Sequence, residues 1–165
     1  MRGVFKVLDL VGYFTPLLLF FVTSFLLFHN KLFWLAFAVG LPLNIGTNIL
    51  LKLIFHQPRP SGDRVHIFTL GLKETELRTN TLFSDGYGMP SSHAQIAFFC
   101  TAMVHYALGN VFITATYLLV ALNSVRERLV YKNHNVFQVA VGALLGLFLG
   151  FCANTYVHQR GIIRR

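Results

Sequence analysis

Four long stretches of the chain contain no Lys, Arg, Asp or Glu: residues 10–30, 32–51, 94–125 and 133–157. Apolar runs of about 18 or more residues are long enough to cross a bilayer. In hydrocarbon every backbone N–H and C=O must be bonded internally, which restricts such runs to helices or closed barrels. The chain is 55% hydrophobic and only 12% charged, where a soluble domain carries about a quarter charged residues. The sequence thus predicts an all-α membrane protein forming a single domain over residues 1–165. Arg2 and Lys6 precede the first run as in a secretory leader. That run is too long for a leader, and the HNKLFW after it offers no small-residue cleavage site, so it is read as a resident helix.

The run 94–125 exceeds one ordinary span, and Gly109-Asn110 near its middle is a turn signal. The expectation is about five transmembrane helices in one bundle, near 11–28, 32–55, 92–108, 111–128 and 136–157. In the last of these Gly142, Gly146 and Gly150 recur four apart, a stripe that lets helices approach closely and reads as a packing face. Residues 56–90 form the long polar segment. It carries Phe68, Leu70, Leu72, Leu77, Leu82 and Phe83, and so reads as an ordered cap on the membrane surface rather than a linker.

A net charge of +8 raises nucleic acid as a partner, but the basic residues are spread over short loops between apolar runs. That distribution favours an anionic lipid headgroup over nucleic acid. The two cysteines, Cys100 and Cys152, lie inside apolar runs and form no metal signature. Oligomeric state has no signal in the sequence.

If 94–125 is a hairpin, the end of the second helix, the start of the third and the junction of the fourth and fifth all lie on one side of the membrane. Lys52, Arg59, Ser91, Ser92, His93, Arg128 and His134 stand at those thresholds. Taken singly, each has a plain reading: a snorkelling lysine, a loop Arg-Pro, a helix-capping serine, an interfacial histidine. Together, three cations with no fixed carboxylate among them would repel one another unless they held an anion. Guanidinium groups fork onto phosphate oxygens and a lysine adds a point charge. Ser91 and Ser92 open a helix whose first amides also favour an anion. Two histidines in different environments suit a nucleophile and an acid–base partner.

KLIFHQPRP (52–60), PSSH (90–93) and RLVYKNH (128–134) are similar to the Lys-x6-Arg-Pro, Pro-Ser-Gly-His and Arg-x5-His motifs of the type 2 phosphatidic-acid-phosphatase superfamily. The resemblance runs over about 43–150 and is strongest to the dolichyl-diphosphatase branch, through LNxGxNxLxK (43–52), YGMPSSHxQ (87–95) and Gln138. It implies an integral membrane phosphatase that converts a polyprenyl diphosphate to the monophosphate. His134 would attack phosphorus and His93 would protonate the leaving oxygen and then activate water. Lys52, Arg59, Ser91, Ser92 and Arg128 would hold the phosphate oxygens. It implies no metal or other cofactor, an isoprenoid diphosphate lipid as partner, and an active site facing the lumen of the endoplasmic reticulum.

Three positions depart from the family's common pattern. Ser92 replaces the glycine of the second motif. Glu127 stands where a serine usually precedes the arginine, either as a surface change or as a partner for Arg126. Gln138 occupies the position of an aspartate, one helical turn beyond His134. Its carbonyl is expected to accept Nδ1–H of His134 and so orient the ring, with Asp85 and Glu127 as candidates for a supporting carboxylate. Two other readings stay open: a broad lipid phosphatase using phosphatidate or undecaprenyl diphosphate, and a non-catalytic phospholipid-binding protein.

Overall fold

The computed structural model describes residues 2–61, 65–66, 84–85 and 87–163. Five helices follow in chain order: α1 (Arg2–Leu27), α2 (Lys31–Phe55), α3 (Ser92–Leu108), α4 (Val111–Val130) and α5 (Val136–Ile163). The helical architecture is as expected, with α1 beginning earlier and α5 ending later than the apolar runs alone suggested. Among the described residues, three helices are long and apolar enough to cross a membrane: α1 from Lys6, α2, and α5 to Arg160. The five-helix bundle is as expected, and these three of its helices meet the length and apolarity of a full span. The 17-residue α3 packs against all four other helices and so tolerates Gln95 and Thr101. The last turns of α4 carry Arg126, Glu127 and Arg128.

The hairpin between α3 and α4 turns where the sequence places it. Gly109 ends α3 in the left-handed region, φ 61°, a conformation that costs glycine little. Asn110 then caps α4, its Oδ1 accepting from the amides of Phe112 (3.0 Å) and Ile113 (3.1 Å). The start of α3 and the end of α4 therefore lie at the same end of the bundle.

The glycine stripe of α5 is a packing face against α3. A Cβ at Gly142 would lie 2.5 Å from the carbonyl oxygen of Ser91, and one at Gly146 would collide with the carbonyl of Gln95. A bond from the Ser91 amide to the Gln138 carbonyl (3.0 Å) aligns the first turns of α3 and α5. The apolar core gathers Leu27, Phe37, Phe99, Cys100, Met103 and Tyr117. Outside it, Phe25, Leu53, Phe112, Leu119 and Phe148 are exposed, as on helices solvated by lipid.

Of the segment between α2 and α3, Val65–His66 pairs antiparallel with Ser84–Asp85, Val65 opposite Asp85. Pro58 bridges Tyr87, and the Gly88 amide donates to the Gln57 carbonyl at 2.7 Å. The expected cap, with Phe68, Leu70, Leu72, Leu77, Leu82 and Phe83, lies otherwise outside the described residues.

Candidate active site

The cluster forms where α2 ends, α3 begins and α4 hands over to α5. His56 closes α2 in the left-handed region (φ 47°), its amide on the carbonyl of Lys52. The chain then runs beside the α4–α5 loop: the Ser61 amide donates to the Lys132 carbonyl (3.0 Å) and Arg59 Nη1 to that of Asn133 (3.4 Å). Lys52 Nζ donates to the carbonyl of Tyr87 at 3.0 Å, drawing the segment before α3 over the same spot. Lys52, Arg59, Arg128 and His134 are 4%, 7%, 2% and 3% exposed. Burying three cations together is costly unless anions accompany them.

One anion is part of the protein. Glu127 is buried, and its carboxylate pairs with Nε of Arg128. This corrects two expectations: a carboxylate does sit in the cluster, and Glu127 is neither a surface substitution nor the partner of Arg126. Arg126 instead binds Asp9 on α1 at 2.5 Å. The reason is helical phase. Glu127 faces Gly12 of α1, where a Cβ would lie 2.8 Å from its own, and so points inward. Arg128 has its guanidinium 5.2 Å from the ring centre of Tyr13, and its Nη2 is buried without a hydrogen-bond partner among the described residues.

His134 is held by a backbone carbonyl. Its Nδ1 lies 2.8 Å from the carbonyl oxygen of Gly88 and its Nε2 lies 3.4 Å from Arg59 Nη1. Since the carbonyl only accepts, Nδ1 carries the proton and Nε2 keeps its lone pair. Burial pushes the imidazole down to about 3, and the charges of Arg59 and Lys52 act in the same direction. The ring is therefore neutral at physiological pH.

The expected bond from Nδ1 to Gln138 is not made. Gln138 is the third residue of α5 and Asn135 its cap. The Gln138 amide nitrogen of the backbone donates to Asn135 Oδ1 (2.9 Å), and the Asn135 amide donates to Gln138 Oε1 (3.2 Å). This reciprocal capping box occupies the side-chain carbonyl. Gln138 Nε2 donates to Gln57 Oε1 (2.9 Å) and to the Pro58 carbonyl (3.1 Å). Gln138 thus holds the 57–58 loop, to which Gly88 is bonded, and through that loop acts on the ring of His134. A Cβ on Gly88 would lie 2.6 Å from the Gln138 amide atoms.

The two serines differ. Ser91 Oγ is buried, caps nothing and has no hydrogen-bond partner among the described residues. Ser92 Oγ donates to Asn48 Oδ1 at 2.6 Å. Asn48 Nδ2 donates to Gln95 Oε1 (2.7 Å), and Gln95 Nε2 to the side chain and backbone of Asn44 (2.9 Å each). This buried ladder ties α2 to α3 directly behind the cluster. His93 donates from Nε2 to the carbonyl of Tyr13 on α1, at 3.1 Å. Tyr13 was not singled out in the sequence. The side chain of Asp85 lies outside the described residues.

The arrangement offers a neutral imidazole lone pair beside buried guanidinium and ammonium groups, with an orphan hydroxyl and an orphan guanidinium nitrogen. Those are the groups that bind and attack a phosphoryl centre.

The model of the PAP2 superfamily matches residues 31–162. Dolichyldiphosphatase 1 of Mus musculus is 33% identical over 93 residues, which cover 54% of this chain and 33% of that protein. The human protein of the same name is 35% identical over 79 residues, 48% of this chain and 26% of its own length. Lipid phosphate phosphatase epsilon 1, chloroplastic, of Arabidopsis thaliana is 33% identical over 135 residues, 77% of this chain and 41% of that protein. The chain thus spans less than half the length of each of these relatives. No solved structure matches it significantly. With the family model covering most of its residues, the chain belongs to the PAP2 superfamily.

Proposed function

We propose that the protein is an integral membrane phosphatase that hydrolyses a polyprenyl diphosphate of the dolichyl type to the monophosphate, through a phosphohistidine. The observation that carries this reading is the neutral His134, with Nδ1–H on Gly88 and Nε2 beside Arg59.

In the first step Nε2 attacks the terminal phosphorus. The bond from phosphorus to the bridging oxygen breaks, and His93 gives its proton to that oxygen. In the second step His93 takes a proton from water, the hydroxide attacks phosphorus, and the bond to Nε2 breaks. Lys52, Arg59, Arg128, the Ser91 hydroxyl and the amides of the first α3 turn stabilise the charge spread over the transferring oxygens. Ser92 contributes through its amide, since its hydroxyl serves Asn48. The lipid lies along the exposed apolar faces, and the site opens to the lumen of the endoplasmic reticulum.

The match to dolichyldiphosphatase 1 and the motif 87–95 support the diphosphate. A second reading, a lipid phosphate monoester as substrate, is favoured by the longer match to the chloroplast lipid phosphate phosphatase. Phosphate release by purified protein from isoprenoid diphosphates and phosphatidate separates the two. Preference for the diphosphate is expected, with loss of turnover in His134→Ala. Equal rates would favour the second reading, and turnover by His134→Ala would remove the nucleophile.

A further inference from the structure

Helix α1 lies before the residues matched by the family model, yet it borders the catalytic cluster. Its interior contains Pro16, which brings no N–H to the carbonyl of Gly12 four residues earlier. Ser124 Oγ fills that place, 2.8 Å from the Gly12 oxygen. The next carbonyl, that of Tyr13, accepts Nε2–H of His93 at 3.1 Å. Around this turn α1 is joined to α4 and its C-terminal cap by further bonds: Asn123 Nδ2 to the Leu8 carbonyl (2.7 Å), Arg126 to Asp9 (2.5 Å) and the hydroxyl of the cap residue Tyr131 to Asp9 (2.7 Å).

We propose that the Pro16-interrupted turn of α1 is a positioning element for His93: it presents the Tyr13 carbonyl to Nε2 and thereby reserves Nδ1 for proton transfer. An imidazole donating from Nε2 to a carbonyl has its lone pair on Nδ1 when neutral. When protonated it carries the mobile proton there. Among the described residues Nδ1 of His93 has no protein partner. The carbonyl takes the part that a carboxylate plays beside other catalytic histidines: it fixes the tautomer and supports the imidazolium without adding a charge to a site that must hold an anion. The ring of Tyr13 lies against Arg128 as well, so one residue of α1 faces both the acid–base group and a phosphate ligand. The proton-transfer role rests on the phosphatase reading; the tautomer does not.

The test uses the full chain in micelles with ¹⁵N-labelled histidine, the His93 ring signals being those lost in His93→Gln. Neutral His93 is expected to carry its proton on Nε2. Pro16→Ala restores an N–H that competes with Ser124 for the Gly12 carbonyl. It should move His93 toward a mixture of tautomers and lower kcat on an isoprenyl diphosphate by about 10-fold, within the range of general acid–base effects, with KM little changed. Pro42→Ala makes the same chemical change inside α2 and should do neither. If Pro16→Ala does not fold, an ester in place of the 13–14 amide weakens the same acceptor, with an ester at 14–15 as its control. A wild-type His93 protonated on Nδ1 would overturn the proposal. So would a normal tautomer and kcat in Pro16→Ala and the 13–14 ester, or a shifted tautomer with normal kcat. Wild-type protein that releases phosphate from neither diphosphate nor phosphatidate would instead overturn the phosphatase reading, while the ring signals still decide the geometry.

Discussion

His134 donates its Nδ1 proton to the carbonyl of Gly88, 2.8 Å away, across 46 positions of sequence. Gly88 is held in turn by its own amide on Gln57, and Gln57 by the amide of Gln138. His134 is therefore oriented by a loop that Gln138 ties down. Gly88→Ala would drive a methyl into the Gln138 amide. The loss of the His134 contact should then lower kcat with the helical content unchanged, as circular dichroism and phosphate release would show.

Gln138→Ala removes two bonds to the loop and half a capping box. Hydrogen bonds between neutral groups are worth about 0.5–1.5 kcal/mol each, so losing the two to the loop should slow turnover by about 10- to 100-fold. Gln138→Asp is not a repair. Its shorter carboxylate has no N–H for the Pro58 carbonyl, so it should lose activity on monophosphates and diphosphates alike. A gain on phosphatidate would mean that the aspartate reaches His134 instead.

Glu127 is the buried counter-charge of Arg128. Removing one member of a buried pair costs about 3–5 kcal/mol, so Glu127→Gln should melt at lower temperature than wild type. Vanadate or phosphate should restore more stability to the variant than to the parent, because the ligand then supplies the missing charge. Equal shifts on ligand addition would show that Arg128 does not meet the anion.

Protonation of His134 gives a pH signature to stability. Its imidazole is depressed to about 3 when folded, against an ordinary value near 6.5. The folded state thus binds the proton less readily than the unfolded one. Its contribution is complete above about pH 6.5 and is lost progressively as pH falls toward 3. Melting temperature should decline over that window in the wild type and less steeply in His134→Gln.

Gly146 and Gly46 form a matched pair. Gly146→Ala meets the backbone of α3 at Gln95, whereas a Cβ on Gly46 meets nothing within 4 Å among the described residues. Overpacking costs about 1–3 kcal/mol, and an unopposed Gly-to-Ala change in a helix gains about 0.5–1 kcal/mol. Thermal melts of the two variants should move in opposite directions.

Much of this was legible in the residues. Gly109-Asn110 divided the long apolar run correctly because turn chemistry is local. The glycine stripe marked a packing face because helical phase is local too. Burial of Glu127 was not legible, since its inward phase depends on Gly12 of α1, far away in sequence. Gln138 was placed near His134 by periodicity, but the choice between ring and loop is tertiary. Its other role had a signal: Asn135-x-x-Gln138 before an apolar run spells a capping box. Tyr13 acts through a carbonyl, which no side-chain pattern records; Pro16 within a helix was the available hint that a carbonyl nearby had been released.

Both histidines lean on carbonyl oxygens, those of Gly88 and Tyr13. A carbonyl belongs to the chain and not to any side chain, so no codon change deletes it. Substitutions can move the acceptor but cannot abolish it. A mutational scan scored by lost activity would flag Pro16, Gln57, Gln138 and Ser124, residues that steer the backbone, and would pass over the two oxygens themselves. In this protein the protonation pattern of the imidazoles is encoded in the path of the main chain, where sequence comparison has little purchase.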